Sequence, residues 1–154
     1  MIVSLPTAAD TFDFGTRLGR LLRAGDLVVL GGPLGAGKTA LVQGIGAGME
    51  VAGRIASPTF VIARVHPPRV AGGTTLVHVD AYRLGSLAEV DDLDLDVDAE
   101  DVVTVVEWGA GFVEQLTDAR LEIVLARAAD TEVRTATLTP HGADWPARLA
   151  TLAS

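Results

Sequence analysis

Eight consecutive residues, Gly32-Pro33-Leu34-Gly35-Ala36-Gly37-Lys38-Thr39, carry the densest chemistry in this chain. Their spacing, Gly-x-x-x-x-Gly-Lys-Thr, is that of the Walker A phosphate loop. Glycine lets the backbone curl until several N–H groups point at one centre, where a Cβ would block an approaching anion. A helix starting at the loop aims the positive end of its dipole at the same place. Lys38 then reaches the β- and γ-phosphates as a compact point charge, and the Thr39 hydroxyl ligates Mg2+. Lys38 is also the only lysine; every other cationic side chain of this type is an arginine.

A phosphate loop that hydrolyses its nucleotide needs a second metal anchor and a group that positions the attacking water. Such groups stand at the carboxyl ends of parallel strands. Two segments qualify. Leu76-Val77-His78-Val79-Asp80 reads as a strand ending in a carboxylate, and Val102 to Val106 reads as a cleaner apolar strand followed by Glu107. For either acid the alternative is a helix cap or a solvated strand end. Other apparent sites fail on their chemistry. Asp92-Leu93-Asp94-Leu95-Asp96 imitates the opening of an EF-hand loop, but Val97 and Val103 stand where that loop needs glycine and glutamate. His66, His78 and His141 lack zinc-ligand spacing, and cysteine is absent. His78 alternates with apolar neighbours and reads as a hydrogen-bonded core or rim residue.

The elements that position these groups follow from periodicity. Ile2 to Leu5 reads as a short strand. Thr7 to Arg23 reads as a helix with Phe12, Leu18, Leu21 and Leu22 on its apolar stripe and Gly25 at its end. Asp26 to Leu30 is a nearly continuous apolar run, as in a strand buried on both faces. The glycine turn follows it, then a helix from about Lys38 to Met49. Further strands are expected at Phe60–Val65, Thr74–Val79, Val102–Val106, Leu121–Ala126 and Val133–Leu138. Asp144 to Leu152 closes the chain as a helix with Asp144 at its N-cap and Pro146 in its first turn. The mixture predicts an α/β fold: a single phosphate-loop NTPase domain over residues 1–154, with a mostly parallel central sheet and flanking helices.

Bulk properties narrow the function. At 154 residues one domain is the default. No apolar run approaches the ~18 residues of a membrane span, and the first residues do not read as a signal peptide; a cytoplasmic place is the resulting expectation. A formal net charge of −8, with arginines scattered, disfavours a direct grip on a nucleic-acid backbone. Guanine specificity of the Asn-Lys-x-Asp type is excluded, because the chain has no asparagine. An arginine-rich kinase lid is missing too: Arg120, Arg127 and Arg134 fall in expected strands. These features leave a small ATPase or an ATP-driven switch.

Gly35-Ala36-Gly37-Lys38-Thr39, Ser57-Pro58-Thr59-Phe60, His78-Val79-Asp80-Ala81-Tyr82-Arg83-Leu84 and Val106-Glu107-Trp108 occur in the order found in the bacterial TsaE family, and the chain resembles that family from about Leu5-Pro6 almost to its end. The resemblance implies an ATPase that takes part in making threonylcarbamoyladenosine on tRNA, working with TsaB and TsaD and meeting tRNA only through them. It implies Mg2+ as cofactor and ATP as substrate. It gives catalytic roles to Lys38, Asp80 and Glu107, with Thr39 and Glu107 on the metal and Asp80 orienting water. Ser57-Pro58-Thr59 resembles a switch-like loop, with Thr59 near the γ-phosphate. Gly32, Leu34, Gly35, Ala36, Gly37, Lys38, Thr39, Ala40 and Asp80 fall in the nucleotide site, and Thr11 and Arg134 match positions that line the adenine pocket. Trp108 either packs the site or meets a partner. One departure is Ala40, where the family usually carries a second hydroxyl; a neutral hydrogen bond contributes ~0.5–1.5 kcal/mol. The rival readings are a freestanding small-molecule kinase, for which only Arg64 and Arg83 offer acceptor-site cations, and a non-hydrolysing ATP-binding adaptor.

The unique lysine yields the first test. Lys38→Ala is expected to abolish ATP binding in a calorimetric titration while the protein keeps its fold by circular dichroism. An unchanged ATP affinity contradicts the reading.

Overall fold

The computed structural model describes residues 1–33, 35–53, 55, 63–80, 100–107, 119–142 and 144–152, with Asp80 described by its backbone. In chain order the elements are β1 (Ile2–Leu5), α1 (Ala8–Leu21), β2 (Leu27–Gly31), α2 (Lys38–Met49), β3 (Ala63–His66), β4 (Thr75–Asp80), β5 (Val102–Glu107), β6 (Arg120–Arg127), β7 (Arg134–His141) and α3 (Trp145–Ala150). The strands form one seven-stranded sheet in the order β1-β7-β6-β2-β5-β4-β3. Its central strands β6, β2, β5 and β4 are parallel, while β1, β7 and β3 join antiparallel at the flanks. The expected α/β class and parallel centre are therefore present. The run read as a central strand is β2, and it lies in the middle of the sheet. Of the expected Phe60–Val65 strand, residues 60–62 lie outside the described residues; the strand seen is Ala63–His66.

Helix α1 begins with a capping box. Thr7 Oγ1 accepts from the Asp10 N–H at 3.1 Å, and the Thr7 N–H donates to Asp10 Oδ2 at 2.8 Å. The helix stops at Leu21, two residues short of the expected end, and Leu22 turns into extended backbone. Of the expected stripe, Leu18 is fully buried and Leu21 and Leu22 pack partly buried against the core, while Phe12 departs from it. Phe14 is buried at 1 % exposure and Phe12 is 38 % exposed, so the core-facing positions are Thr11, Phe14, Gly15, Leu18 and Gly19. This face packs on α2, and both helices bury their apolar sides against Val28, Leu30, Val103, Val105, Leu121, Ile123 and Leu125 of the sheet.

Glycine explains the contact with α2. A Cβ built on Gly15 meets the Leu41 carbonyl oxygen at 2.4 Å, and one on Gly19 meets that of Ile45 at 2.4 Å. From the other side, a Cβ on Gly44 meets the Phe12 oxygen at 2.2 Å, and one on Gly48 meets the Thr16 oxygen at 2.2 Å. The two helices thus touch backbone to backbone and run in the same sense. Positions with no side chain carry no weight in an apolar-stripe count, so the contact face was invisible to it.

Helix α3 closes the fold with Trp145, Leu149 and Leu152 in the common core. Asp144 sits at its N-cap but makes no side-chain cap bond; its carboxylate lies 3.6 Å from both Arg23 and Arg148 instead. Arg148 fastens the helix. It stacks 4.2 Å over the Trp145 ring, donates to the Leu21 carbonyl at 2.7 Å and pairs through both terminal nitrogens with Asp26, just ahead of β2.

The close helix contact can be tested against intrinsic propensity. In a helix interior alanine is favoured over glycine by ~0.8–1 kcal/mol, whereas forcing atoms into a filled core costs ~1–3 kcal/mol. Gly44→Ala is expected to lose on the order of 1–2 kcal/mol net in urea denaturation, because its methyl group lands on the Phe12 carbonyl. A stabilised variant contradicts the backbone contact.

Candidate nucleotide-binding site

Strand β2 delivers the chain to the phosphate loop at the middle of the sheet. Gly32 has φ +138°, and a Cβ there would stand 2.5 Å from the Leu125 carbonyl oxygen of β6. Gly35 and Gly37 have φ of +81° and +102°. Such angles cost an L side chain about 1–2 kcal/mol or more, so the loop needs glycine at these positions. Gly37 is the N-cap of α2 and offers no side chain to cap it. The first N–H groups of the helix are thereby kept for an external acceptor.

Lys38 is half-buried, and its Nζ donates to the Gly32 carbonyl at 2.8 Å. The ammonium therefore spans the loop from the first helical residue back to the first glycine. Thr39 and Ala40 follow on α2, both half-buried.

The sheet register brings the acids to the same place. Leu30 of β2 is level with Glu107 of β5, and Glu107 is level with Asp80 of β4. Glu107 therefore stands beside the last residues before the phosphate loop, and the Asp80 backbone stands beside Glu107. Glu107 is 5 % exposed. Its alternation with Val103 and Val105 puts it on the sheet face that α1 and α2 cover. His78, two residues before Asp80, shares that face at 0 % exposure, with Nε2 3.4 Å from Glu107 Oε2. Neither of its ring nitrogens has a hydrogen-bond partner among the described residues, so the expected hydrogen-bonded histidine is instead a core residue turned to a carboxylate.

Arg134, at the start of β7, lies against the loop from another side. Its Nε and Cδ are 2.8 and 3.0 Å from where a Gly37 Cβ would be. It donates to the Glu132 carbonyl at 3.1 Å, while its Nε is buried with no partner among the described residues. Thr11 is fully buried in α1, and its hydroxyl donates to the Thr7 carbonyl at 3.3 Å. Leu34, Thr59 and the rest of Ser57-Pro58-Thr59-Phe60 lie outside the described residues, as do Trp108, Tyr82 and Arg83 and the side chain of Asp80. Arg64 is exposed on the edge strand β3. A cavity of about 430 Å³ lies away from the loop, between Phe12 of α1 and Gln43, Gly46 and Ala47 of α2, with Ile55 and Arg69 on its rim.

The arrangement fits a nucleotide with its cation. The loop presents uncapped N–H groups, a lysine and a hydroxyl, and a buried carboxylate stands at the adjoining strand end. Mg2+ at phosphate sites takes one or two protein oxygens and completes its shell with phosphate and water. Thr39 and Glu107 are donors of that kind. Among the described residues no three His, Cys, Asp or Glu side chains gather as a separate metal cage.

Comparison with known proteins agrees with this geometry. The family described as "Threonylcarbamoyl adenosine biosynthesis protein TsaE" matches residues 5–136. The TsaE protein of Streptomyces coelicolor is 58 % identical over 137 residues, covering 86 % of this chain and 92 % of that one. The TsaE protein of Mycobacterium tuberculosis is 52 % identical over 140 residues, covering 87 % of this chain and 83 % of its own. Both are named as tRNA threonylcarbamoyladenosine biosynthesis proteins. Among solved structures, Bacillus subtilis YdiB superposes with a TM-score of 0.78 at 27 % identity, covering 99 % of this chain and 93 % of that one. With its phosphate loop, its strand-end acids and its likeness to these proteins over most of its length, the chain belongs to the TsaE family.

Proposed function

We propose that this chain binds ATP with Mg2+ at Gly32–Thr39 and hydrolyses it as the ATPase component of tRNA threonylcarbamoyladenosine biosynthesis, together with TsaB and TsaD. The observation that carries the reading is the alignment of Leu30, Glu107 and Asp80 across three strands at the mouth of an uncapped phosphate loop. The reading takes residues 1–154 as one phosphate-loop domain of a cytoplasmic protein. No helix among the described residues is long and apolar enough to cross a membrane.

The chain's own groups divide the work. Gly32, Leu34, Gly35, Ala36 and Gly37 wrap the phosphates with their backbone, the Ala36 N–H leaving its bond to the Pro33 carbonyl to do so. Lys38 gives up its bond to the Gly32 carbonyl and turns its charge to the β- and γ-phosphates. Thr39 and Glu107 would hold the cation, and Ala40 lines the phosphate end of α2 without the extra hydroxyl usual in the family. When bound, Mg2+ supplies charge neutralisation at the phosphate oxygens. Asp80 holds the attacking water by accepting its hydrogen bond, and Thr59 comes to the γ-phosphate side. Arg134, whose side chain lies against Gly37, closes the nucleotide against the loop. Thr11 contributes to the adenine end through its place in α1, since its hydroxyl is turned to Thr7.

Catalysis of this kind is positioning plus charge stabilisation, and an arginine supplied by a partner can add ~10³–10⁵ to turnover. The acidic chain is not built to hold tRNA unaided. Phosphate release by the chain alone is therefore expected to be slow, and TsaB plus TsaD with tRNA are expected to accelerate it. A gel shift at physiological salt is expected to show no tight tRNA complex with the chain alone. Full-speed hydrolysis without partners, or tight tRNA binding by the isolated chain, overturns the proposal in favour of a freestanding enzyme.

A further inference from the structure

Among the described residues His78 is the imidazole at 0 % exposure, and the nucleotide reading does not use it. It is level with Val105 in the β4–β5 register. Strands rise ~3.3 Å per residue in a parallel pair, so Glu107 begins roughly 6.6 Å further along the sheet. The two side chains close that offset between them, and His78 Nε2 lies 3.4 Å from Glu107 Oε2. Both groups are buried, at 0 % and 5 % exposure. A carboxylate taken out of water must be hydrogen-bonded or paired. A carboxylate facing Nε2 also selects the tautomer that carries its proton there, because the neutral ring then offers a donor to an acceptor.

We propose that His78 is a positioning residue for Glu107: its Nε2–H bonds Oε2, fixes the rotamer of the carboxylate, and leaves the other oxygen for the nucleotide-bound cation. Carboxylates that ligate metals are themselves held by outer hydrogen bonds, and losing such a partner typically weakens metal binding ~10–100-fold. The 3.4 Å separation is long for a hydrogen bond. Contacts at catalytic sites often tighten only when the ligand is in place. The backbone supports the same division of labour. Asp80 stands beside Glu107 in the register, and like charges directly opposite each other in a sheet repel. A donor on one oxygen of Glu107 limits how that acid can turn away from its neighbour.

The inference rests on Glu107 being the metal-side acid, and the experiment separates the two ideas. ADP binding is titrated calorimetrically in EDTA and in Mg2+, for the wild-type protein and for His78→Leu, His78→Gln and His78→Asn. The wild type is expected to bind ADP more tightly with Mg2+. In H78L that Mg2+-dependent gain is expected to fall about tenfold or more, with ADP affinity in EDTA unchanged. H78Q places an N–H near the Nε2 position and is expected to keep the gain; H78N is too short and is expected to lose it. Should H78L fail to fold, the Gln and Asn variants decide, being alike in polarity and different in reach. A wild-type gain retained by H78L, or equal behaviour of H78Q and H78N, overturns the role of His78 alone. Absence of any gain in the wild type overturns the metal role of Glu107 and the proposal with it.

Discussion

The chemistry of this protein depends on the start of α2 being held at one point above the carboxyl ends of β2, β5 and β4. Backbone contact between α1 and α2 supplies that constraint. Gly15 and Gly19 face the carbonyls of Leu41 and Ile45, while Gly44 and Gly48 face those of Phe12 and Thr16. At these glycines no side chain separates the helices, so none can yield there by changing rotamer. The apolar faces of both helices then seat on the sheet through Phe14, Leu18, Leu41 and Ile45. A phosphate loop has little side-chain matter of its own to define its shape, and its position is inherited from this clamp and from β2.

Electrostatics completes what packing begins. The first turn of α2 carries N–H groups that its glycine cap leaves free, and its dipole adds to them. Lys38 bridges the loop through the Gly32 carbonyl, a bond that a phosphate can replace. On the sheet side, Glu107 and the Asp80 backbone stand in register with Leu30. An acid buried beside a second strand-end acid calls for positive charge nearby, which in the proposed function the loop lysine and a nucleotide-bound cation would supply. The cavity of about 430 Å³ on the flank of α2 lies outside this system.

Much of this was readable in the residues because local chemistry and period agreed. The run before Gly32 is nearly all apolar, the glycines of the loop are needed at positive φ, and β5 is a β-branched strand ending in an acid; each stands where expected. On α1, Leu18, Leu21 and Leu22 face the core as expected and Phe12 does not; the contact with α2 stays hidden because glycines add nothing to an apolar count. The spacing Gly15-x-x-x-Gly19 against Gly44-x-x-x-Gly48 was the available signal. Asp144 read as a capping residue, but two arginines draw its carboxylate away. The contact of His78 with Glu107 joins different strands at different heights, and no single segment could reveal it. Arg134 meets Gly37 across the sheet for the same reason.

The central claim is that Glu107 acts as a charged ligand at a nucleotide site and not as a structural strand end. Glu107→Gln keeps the shape of the side chain and removes its charge. Steady-state phosphate release with Mg2+ and calorimetric ATP binding, measured on the same preparation of this variant, test the claim most directly. Interactions with a charged group are worth ~1.5–3 kcal/mol, so hydrolysis is expected to fall at least about tenfold, by clearly more than ATP affinity falls. Hydrolysis at the wild-type rate contradicts the assignment and leaves Glu107 as a strand-end carboxylate.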